Sequence, residues 1–315
     1  MDLETFLNLP TSEVARLVRA AGPKVCAFPV NGTRRWFLLE YTPQPGDNLE
    51  VAYLDMMVEA HVSLYRMLFS HGIDTLLAPM FGPDLLARGD EYAEMALRGL
   101  ARLAHHPTFL KFYEVHKVRV GFYGDYRKAL SNTPHAYLSD LFDDVTYQTR
   151  FNTQHAILFG ICANDPVDTI AEITIRYYLE YGRAPHRQAL IQQYYGMDVP
   201  PLSFFIGFDK FCVFDTPLLT TGNEDLYFTV SPSLYLTERQ FREILYDHLY
   251  TRRIEAAHYD DLTPEDVAGM RAFYRINQGK TLGVGAIQAR GGYWYPLPQV
   301  TLPTEFFELT TQGEP

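Results

Sequence analysis

Residues 24–36 read Lys24-Val-Cys-Ala-Phe-Pro-Val-Asn-Gly-Thr-Arg-Arg-Trp36 and form the stretch that decides the fold. The first seven residues are apolar apart from the initial lysine, which is typical of a parallel strand covered on both faces. The next six include one glycine and two adjacent arginines. Ligands of parallel sheets collect at such strand ends, so residues 28–36 are expected to bind an anion. The alternative is a surface turn whose arginines pair with some of the 38 acidic residues.

Short apolar runs alternate with segments of helical period along most of the chain. The predicted strands are Lys24–Val30, Asp74–Pro79, Val118–Tyr123, Ala156–Cys162, Ser203–Phe208 and Leu226–Val230. Helices are expected near residues 11–21, 49–71, 90–104, 166–181, 186–195 and 237–252. This order predicts an α/β fold with a central, mostly parallel six-stranded sheet flanked by helices. We expect a single domain over residues 1–315, with a core at about 22–252 and a helical or irregular C-terminal extension at about 253–315.

The composition is that of an ordinary globular protein and argues against several classes of function. Hydrophobic residues make up 47% of the chain and charged residues 21%. The net charge of −11 disfavours nucleic-acid binding, which requires clustered lysines and arginines. Cys26, Cys162 and Cys212 lie inside apolar runs and are interpreted as buried free thiols of a reducing compartment. Because no apolar run approaches about 18 residues, we expect a cytoplasmic protein without stable membrane insertion.

Loops after several predicted strands should meet residues 28–36 at one edge of the sheet. Gly124-Asp125 follows the third strand, while residues 209–215 and 231–233 follow the last two. With 22 Tyr and 21 Phe, aromatic side chains could line a hydrocarbon pocket, although an aromatic core is the simpler alternative. The pocket candidates are Trp36, Phe81, Tyr123, Asp125 and Phe159.

Several of these segments resemble a known family. Asn31-Gly-Thr-Arg-Arg-Trp36 is similar to the Asp-Gly-Asn-Gly-Arg-Trp that ends the first strand of cis-prenyltransferases. Gly124-Asp125 and Leu226-Tyr-Phe-Thr-Val-Ser-Pro232 look like two later motifs of that family, in the same order. Phe122-Tyr-Gly-Asp-Tyr126 and Ile244-Leu-Tyr-Asp-His248 are also similar to one branch. The chain is therefore identified as a member of the branch that contains tuberculosinyl adenosine transferase, also described as isotuberculosinol synthase.

The resemblance implies an enzyme with a cis-prenyltransferase-like fold that ionises a bicyclic diterpenyl diphosphate such as kolavenyl diphosphate. The preferred expectation is a terpene synthase similar to kolavelool synthase, in which water captures the allylic cation to give a diterpene alcohol and diphosphate. One alternative is transfer of the diterpenyl group to a nucleoside such as adenosine. The other is a non-catalytic isoprenoid-binding subunit. The resemblance also implies Mg²⁺ as cofactor, an upstream class II diterpene cyclase that supplies the substrate, and a homodimer.

The same resemblance assigns roles to residues 31–35. It implies that Gly32, Thr33, Arg34 and Arg35 bind diphosphate and that Asn31, Arg34 and Arg35 act in catalysis. Asn31 stands where the family has its catalytic aspartate, and an amide is neither a carboxylate base nor an anionic Mg²⁺ ligand. Either the two arginines stabilise the departing diphosphate without that acid, or the chain is an inactivated variant.

Two departures from the family argue against chain elongation. The Arg-x-x-Gly-His segment of elongating enzymes is missing from residues 41–48. Their later Arg-x-Ser-x-Phe, which binds isopentenyl diphosphate, is replaced by Lys210-Phe-Cys-Val-Phe214. A second prenyl diphosphate is therefore not expected as the acceptor.

Overall fold

Six parallel strands form the central sheet of the computed structural model, which describes residues 1–82, 89–163, 166–214, 216–254 and 258–302. In chain order the strands are β1 (Val25–Ala27), β2 (Thr75–Phe81), β3 (Val118–Tyr123), β4 (His155–Ile161), β5 (Phe204–Phe208) and β6 (Asp225–Thr229). Their order across the sheet is β3-β4-β2-β1-β5-β6, and every neighbouring pair is parallel. The predicted α/β fold and its parallel sheet are confirmed.

Helices cover both faces of this sheet. They are α1 (Leu3–Leu7), α2 (Thr11–Ala20), α3 (Thr33–Glu40), α4 (Leu49–Ser70), α5 (Asp90–His105), α6 (Pro107–Val115), α7 (Tyr126–Leu130), α8 (Tyr137–Thr149), α9 (Val167–Tyr181), α10 (Arg187–Tyr195), α11 (Glu238–Leu249) and α12 (Pro264–Asn277). Short 3₁₀ turns span Ser233–Tyr235, Thr251–Arg253 and Tyr259–Asp261. Among the described residues, no helix is both long and apolar enough to cross a membrane.

The continuous apolar character of the strands follows from burial on both faces. In β2, Leu76 and Ala78 belong to the larger core, which packs against α2, α4, α5, α6, α8 and α11. Leu77 points to the other face and belongs to a smaller core with α9 and α10. All three residues are fully buried, as expected for a strand in the middle of a covered parallel sheet.

Two helix boundaries are fixed by the residues at them. Gly72 follows α4 at φ +98°, and a Cβ there would lie 2.9 Å from the Ala15 carbonyl oxygen, so glycine is required sterically. α11 begins with a capping box in which the Thr237 side chain accepts from the Gln240 backbone and the Gln240 side chain accepts from the Thr237 backbone.

The first strand and the segment after it differ from the expectation. β1 ends at Ala27 rather than Val30, although Phe28 still donates its N–H to the Leu77 carbonyl at 2.8 Å. Pro29 has no N–H with which to continue the ladder. Residues 33–40 form α3, a helix that is not among those predicted from the sequence.

The C-terminal extension contains a structure that the sequence pattern did not indicate. β7 (Gly285–Gln288) and β8 (Tyr293–Pro296) form an antiparallel hairpin after α12. The Trp294 indole lies so close to Gly285 that a Cβ there would be 2.1 Å from the ring. Strands of four residues are too short to show a clear alternation of apolar and polar residues. The hairpin is therefore recognised from this packing and not from the sequence pattern.

Candidate functional site

Gly32 sets the geometry of the turn between β1 and α3. Its φ is +76°, and a Cβ there would lie 2.7 Å from Phe208 Cε1 and 3.0 Å from Pro232 Cβ. The backbone therefore passes directly against the end of β5 and the loop after β6, which only glycine permits. α3 starts at Thr33 with Gly32 as its N-cap and has no capping side chain. Its first-turn N–H groups can therefore serve a ligand.

Asn31 is fixed through its backbone. Its N–H donates to Ser233 Oγ at 3.0 Å, and its carbonyl accepts from the Ser233 N–H at 3.1 Å. Ser233 is fully buried. The ends of β1 and β6 are thus tied together, which brings the loop at residues 231–233 to residues 28–36 as the parallel sheet predicts.

The two arginines of α3 face different neighbours. The Arg34 guanidinium lies 4.5 Å from the Tyr92 ring centroid, whereas Arg35 lies 5.5 Å from the Phe208 ring and 6.0 Å from the Tyr293 ring. Arg35 also has a loose ion pair, with Nη1 at 3.8 Å from Asp209 Oδ2. The Arg35 side chain is 43% exposed, so this pair is worth at most about 1 kcal/mol. Both guanidinium groups keep donors available for an anion.

Thr33 links this turn to α4. Its hydroxyl lies 2.9 Å from the Tyr53 hydroxyl. Burial raises the pKa of Tyr53 and outweighs the opposing effect of the hydrogen bond with Thr33. Tyr53 therefore remains a neutral phenol beside the first turn of α3.

A narrow cavity opens beside Thr33. It encloses about 790 Å³ of atom-free space including its mouth, of which about 140 Å³ admits the centre of a water molecule. Its walls are α4 and α5, with Met80 contributed by β2, Val30 by the turn after β1 and Phe109 by α6. The apolar lining residues are Val30, Leu54, Met57, Val58, Met80, Met95, Ala96, Leu100, Leu103 and Phe109. The three methionines are flexible side chains that can adjust to a hydrocarbon guest.

Besides Thr33, four lining residues carry polar groups but little free charge. Tyr53 and Tyr92 line the cavity together with His61 and Arg102. His61 Nδ1 lies 2.7 Å from the Met57 carbonyl oxygen, and burial lowers the pKa of the imidazole, which keeps it neutral. Arg102 is ion-paired with Asp55. The cavity therefore suits an apolar chain whose charged end lies outside it, at α3.

Comparisons with known proteins show which family the chain belongs to. No family model matches the chain. Tuberculosinyl adenosine transferase from Mycobacterium tuberculosis is 42% identical over 292 residues, which cover 92% of this chain and 96% of that protein. The chain belongs to the tuberculosinyl adenosine transferase family. (+)-Kolavelool synthase from Herpetosiphon aurantiacus is 25% identical over 299 residues, covering 93% of this chain and 95% of that protein.

The order of these similarities corrects the preferred expectation. A water-quenching synthase of the kolavelool type should resemble kolavelool synthase more than the transferase, whereas the identities are 25% and 42%. The prediction of a kolavelool-type alcohol as product is therefore wrong. The comparison favours the alternative, transfer to a nucleoside.

Solved structures establish the fold of this tuberculosinyl adenosine transferase family member. Lavandulyl diphosphate synthase from Lavandula x intermedia, in complex with dimethylallyl diphosphate, superposes with a TM-score of 0.59 at 14% identity, covering 75% of this chain and 98% of that chain. A probable undecaprenyl diphosphate synthase from Campylobacter jejuni gives 0.54 at 17%, covering 74% and 97%. The fold is that of the cis-prenyltransferases. The relatives are enzymes of this fold, and so is this family member.

The pocket candidates predicted from the sequence do not gather around the cavity. Trp36 lies on α3, with its ring 6.5 Å from that of Tyr235. Phe159 is buried in the larger core, and Tyr123 packs against Tyr194 and Tyr195 on the opposite face of the sheet.

Asp125 also lies away from the cavity lining. Asp125 precedes α7, and its N–H donates to the Cys162 carbonyl. Phe81 is the last residue of β2, and its side chain lies outside the described part of the structure. A substrate contact by any of the five candidates stays a prediction.

The four-residue spacing of certain side chains along α4 could have indicated which face of this helix forms the cavity wall. Tyr53, Met57 and His61 recur every four residues and share one face of the helix. The sequence does not show that this face meets a cavity rather than a filled core.

The residues around Asn31 can be compared with what Mg²⁺ requires. Proteins usually hold this ion through one or two carboxylates together with phosphate oxygens. Asn31 supplies a neutral amide, and within the described ranges no three His, Cys, Asp or Glu side chains form a metal-binding group. This donor set does not fit a protein-held magnesium ion at Asn31. A magnesium requirement stays a prediction, and no step proposed below is routed through a metal.

Proposed function

We propose that this protein is a diterpenyl transferase that moves the hydrocarbon of a bicyclic diterpenyl diphosphate to adenosine or a related nucleoside. The observation that carries this proposal is the opening of an apolar cavity beside Thr33, next to Arg34 and Arg35. A prenyl diphosphate has the matching form, with an apolar body and an anionic end. The acceptor is inferred from the transferase relative at 42% identity.

In this proposal the diphosphate binds at the first turn of α3. The uncapped N–H groups after Gly32 and the positive end of the helix dipole favour an anion. Arg34 and Arg35 add fork-shaped donors from the same turn. The diterpenyl group extends past Thr33 into the cavity between α4 and α5.

The first chemical step is ionisation of the substrate. The bond between the allylic carbon and the diphosphate oxygen breaks, and both electrons leave with the diphosphate. Negative charge grows on the leaving group, and the arginines and the first-turn N–H groups of α3 stabilise it. The faces of Tyr53 and Tyr92 in the cavity wall stabilise the allylic cation through their π electrons.

The second step is capture of the cation by the nucleoside. A lone pair on a base nitrogen forms the new C–N bond, and the positive charge passes to the base. Aromatic and apolar walls keep water from the cation, so the nucleoside competes successfully with hydrolysis.

Asn31 is compatible with this mechanism. Ionisation breaks a C–O bond without moving a proton, so no carboxylate base is required at position 31. Because the backbone of Asn31 is fixed by Ser233, its side-chain amide can donate to a diphosphate oxygen. The bicyclic substrate would come from a separate cyclase, and a homodimer is inferred from the resemblance to the family.

The test is incubation with a bicyclic diterpenyl diphosphate, with and without adenosine, followed by mass spectrometry and a diphosphate assay. We expect a diterpenyl adenosine adduct in amounts matching the diphosphate released. An alcohol as the sole product in both reactions would contradict the transferase proposal. No diphosphate release from either the natural chain or Asn31→Asp would favour a non-catalytic isoprenoid-binding role.

A further inference from the structure

A second group of side chains lies beside Arg35, distinct from the lining of the cavity. It consists of Asp209, Phe211, Tyr293 and Trp294, and we refer to it as the hairpin cluster. Arg35 contacts it through Asp209 at 3.8 Å and the Tyr293 ring at 6.0 Å. The neighbouring Arg34 instead contacts Tyr92, which lines the cavity. The two arginines therefore connect the cavity to the hairpin cluster.

Asp209 retains a carboxylate oxygen that the protein does not use. Its Oδ1 is buried and has no hydrogen-bond partner within the part of the chain that the structure describes, and Oδ2 is 3.8 Å from Arg35 Nη1, too far for a hydrogen bond. Leaving a buried acceptor unpaired costs free energy, so such groups are rare in folded proteins. The backbone of Asp209 is also in the left-handed region at φ +68°, and its N–H is held by the Thr229 carbonyl at 3.1 Å. Strain and an unpaired acceptor at one residue indicate a group placed for a ligand donor.

Two aromatic members of the cluster are partly exposed to solvent. Phe211 is 51% exposed and Tyr293 is 42% exposed. Phe211 is supported from behind by Phe228, with ring centroids 4.7 Å apart, and by Trp294 at 6.3 Å. A Cβ at Gly283 would lie 3.4 Å from Phe211, so the segment that leads into the β7–β8 hairpin packs closely on this ring. Exposed aromatic faces held in this way are suited to stacking a planar base.

We propose that the hairpin cluster binds the base of the acceptor nucleoside and selects a purine with an exocyclic amino group. The base stacks on Phe211 and Tyr293, and its amino group donates to the Asp209 carboxylate, whose side chain is 20% exposed. A carboxylate accepts hydrogen bonds only, so it favours adenine over a purine that presents a carbonyl oxygen at the same position. This assignment rests on the proposed transferase function.

The position of Asp209 also fits the charge changes of the transfer step. The C–O bond to diphosphate breaks with both electrons going to the leaving group. The in-plane lone pair of a ring nitrogen forms the C–N bond. The alkylated base then carries the positive charge, partly on its amino group, and the carboxylate of Asp209 stabilises it through the same hydrogen bond. No oxidant or additional reactant is required.

The experiment compares adenosine with 6-methoxypurine riboside, which keeps every ring-nitrogen lone pair and has an oxygen acceptor in place of the amino group, in the natural chain and in Asp209→Asn. We expect the natural chain to prefer adenosine. Asp209→Asn should lower kcat/KM for adenosine transfer by about 10- to 100-fold, the effect of losing a hydrogen bond to a charged acceptor. It should raise transfer to 6-methoxypurine riboside relative to adenosine, because the new amide can donate to the methoxy oxygen. Diphosphate release without a nucleoside should be unchanged.

A matched control is Asp143→Asn. Asp143 is ion-paired with Arg127, which packs over the Tyr126 ring, so the pair resembles Asp209 and Arg35 but lies outside the cluster. The control should retain the preference for adenosine. Asn adopts the left-handed region as readily as Asp, so Asp209→Asn should fold, and Tyr293→Ala provides a second variant in which the KM for adenosine rises.

The outcomes separate this inference from the proposed function. If the natural chain forms no nucleoside adduct, the transferase function and the base site both fail. If it forms the adduct and Asp209→Asn keeps both the rate and the preference for adenosine, only the base site is wrong. Equal loss of nucleoside transfer and of nucleoside-independent diphosphate release in Asp209→Asn would also overturn the assignment, because it would indicate a role in ionisation.

Discussion

Arginines at the two edges of the sheet differ in how completely the protein satisfies them. At the edge where the strands begin, Arg242 is buried and donates to the Leu7 and Leu9 carbonyls, the Thr11 hydroxyl and Glu238. At the edge where the strands end, Arg34 and Arg35 face aromatic rings, and Arg35 adds one loose ion pair. The first arrangement fixes α1 and α11 together. The second leaves donors for a ligand.

A second network, also at the edge where the strands begin, pairs its charged groups within the protein in the same way. At the start of β6, Asp225 Oδ2 lies 2.6 Å from His248 Nδ1 and 2.7 Å from Arg253 Nη2. Arg252 pairs with Asp247 and approaches Asp225 Oδ1 at 3.6 Å. Charge at this edge is matched within the chain, so it stabilises the fold. Unmatched charge at the opposite edge costs stability and is the physical sign of a site.

The largest expected effect is on turnover, and it comes from removing the arginines at the edge where the strands end. Arg34→Ala and Arg35→Ala should each lower kcat by about 100- to 1000-fold, because each removes a donor aimed at the departing diphosphate. The midpoint of thermal unfolding should change little in either variant. Arg127→Ala is the control, since Arg127 also packs over a ring and pairs with an acid. Normal turnover in both test variants would remove the arginines from the mechanism.

At the edge where the strands begin, the expected effect is on the free energy of unfolding. Arg242→Ala should lower the free energy of unfolding by about 3 kcal/mol, because it leaves buried acceptors and Glu238 without their partner. Arg239→Ala on the same helix is the control and should cost less than about 1 kcal/mol, since Arg239 is 61% exposed. Urea unfolding measures both. Similar losses of unfolding free energy in the two variants would show that the buried network around Arg242 stabilises the fold no more than the exposed ion pairs of Arg239 do.

A smaller effect is expected from filling the cavity. Ala96→Phe places a ring among the lining residues of α4 and α5, so it should lower kcat/KM for a diterpenyl diphosphate by about tenfold, as expected for a lost apolar contact. A short substrate such as dimethylallyl diphosphate should react at an unchanged rate. Equal loss for both substrates would mean that the cavity does not hold the hydrocarbon.

The smallest effect is the pH dependence of stability. Burial lowers the pKa of three histidines at the edge where strands begin, His71, His155 and His248. In the unfolded chain these groups bind protons at higher pH than in the folded one. Their contribution to stability is therefore complete above about pH 6.5 and is lost as the pH falls through the folded pKa values. We expect the free energy of unfolding to decrease between about pH 7.5 and pH 5.5, and His155→Gln to reduce that decrease.

The sequence predicts those parts of the molecule that local pattern determines. The strands are recognisable because residues such as Leu76 and Leu77 must be apolar on both faces. The start of α11 is recognisable because its capping box is contained within Thr237–Gln240. Residues 31–35 are recognisable because a glycine and two arginines follow a strand directly.

Other features depend on contacts between distant segments and leave no local signal. α3 begins where it does because Gly32 meets Phe208 and Pro232, which are far away in the chain. The unpaired oxygen of Asp209 is visible only once its surroundings are known. Trp294 folds over Gly285 in strands too short to show a period. These contacts shape the turn and the hairpin cluster, which is why the sequence predicts a diphosphate segment but does not indicate the proposed acceptor site.

The difference between the two edges is tested most directly by calorimetric binding of a non-cleavable diterpenyl diphosphate analogue. The comparison uses Arg35→Ala and Arg252→Ala, whose native arginines are 43% and 41% exposed at opposite edges. We expect Arg35→Ala to weaken Kd by about 10- to 100-fold, as for the loss of charge-assisted hydrogen bonds, and Arg252→Ala to leave it unchanged. Unchanged affinity in Arg35→Ala, or an equal loss in both variants, would contradict the account.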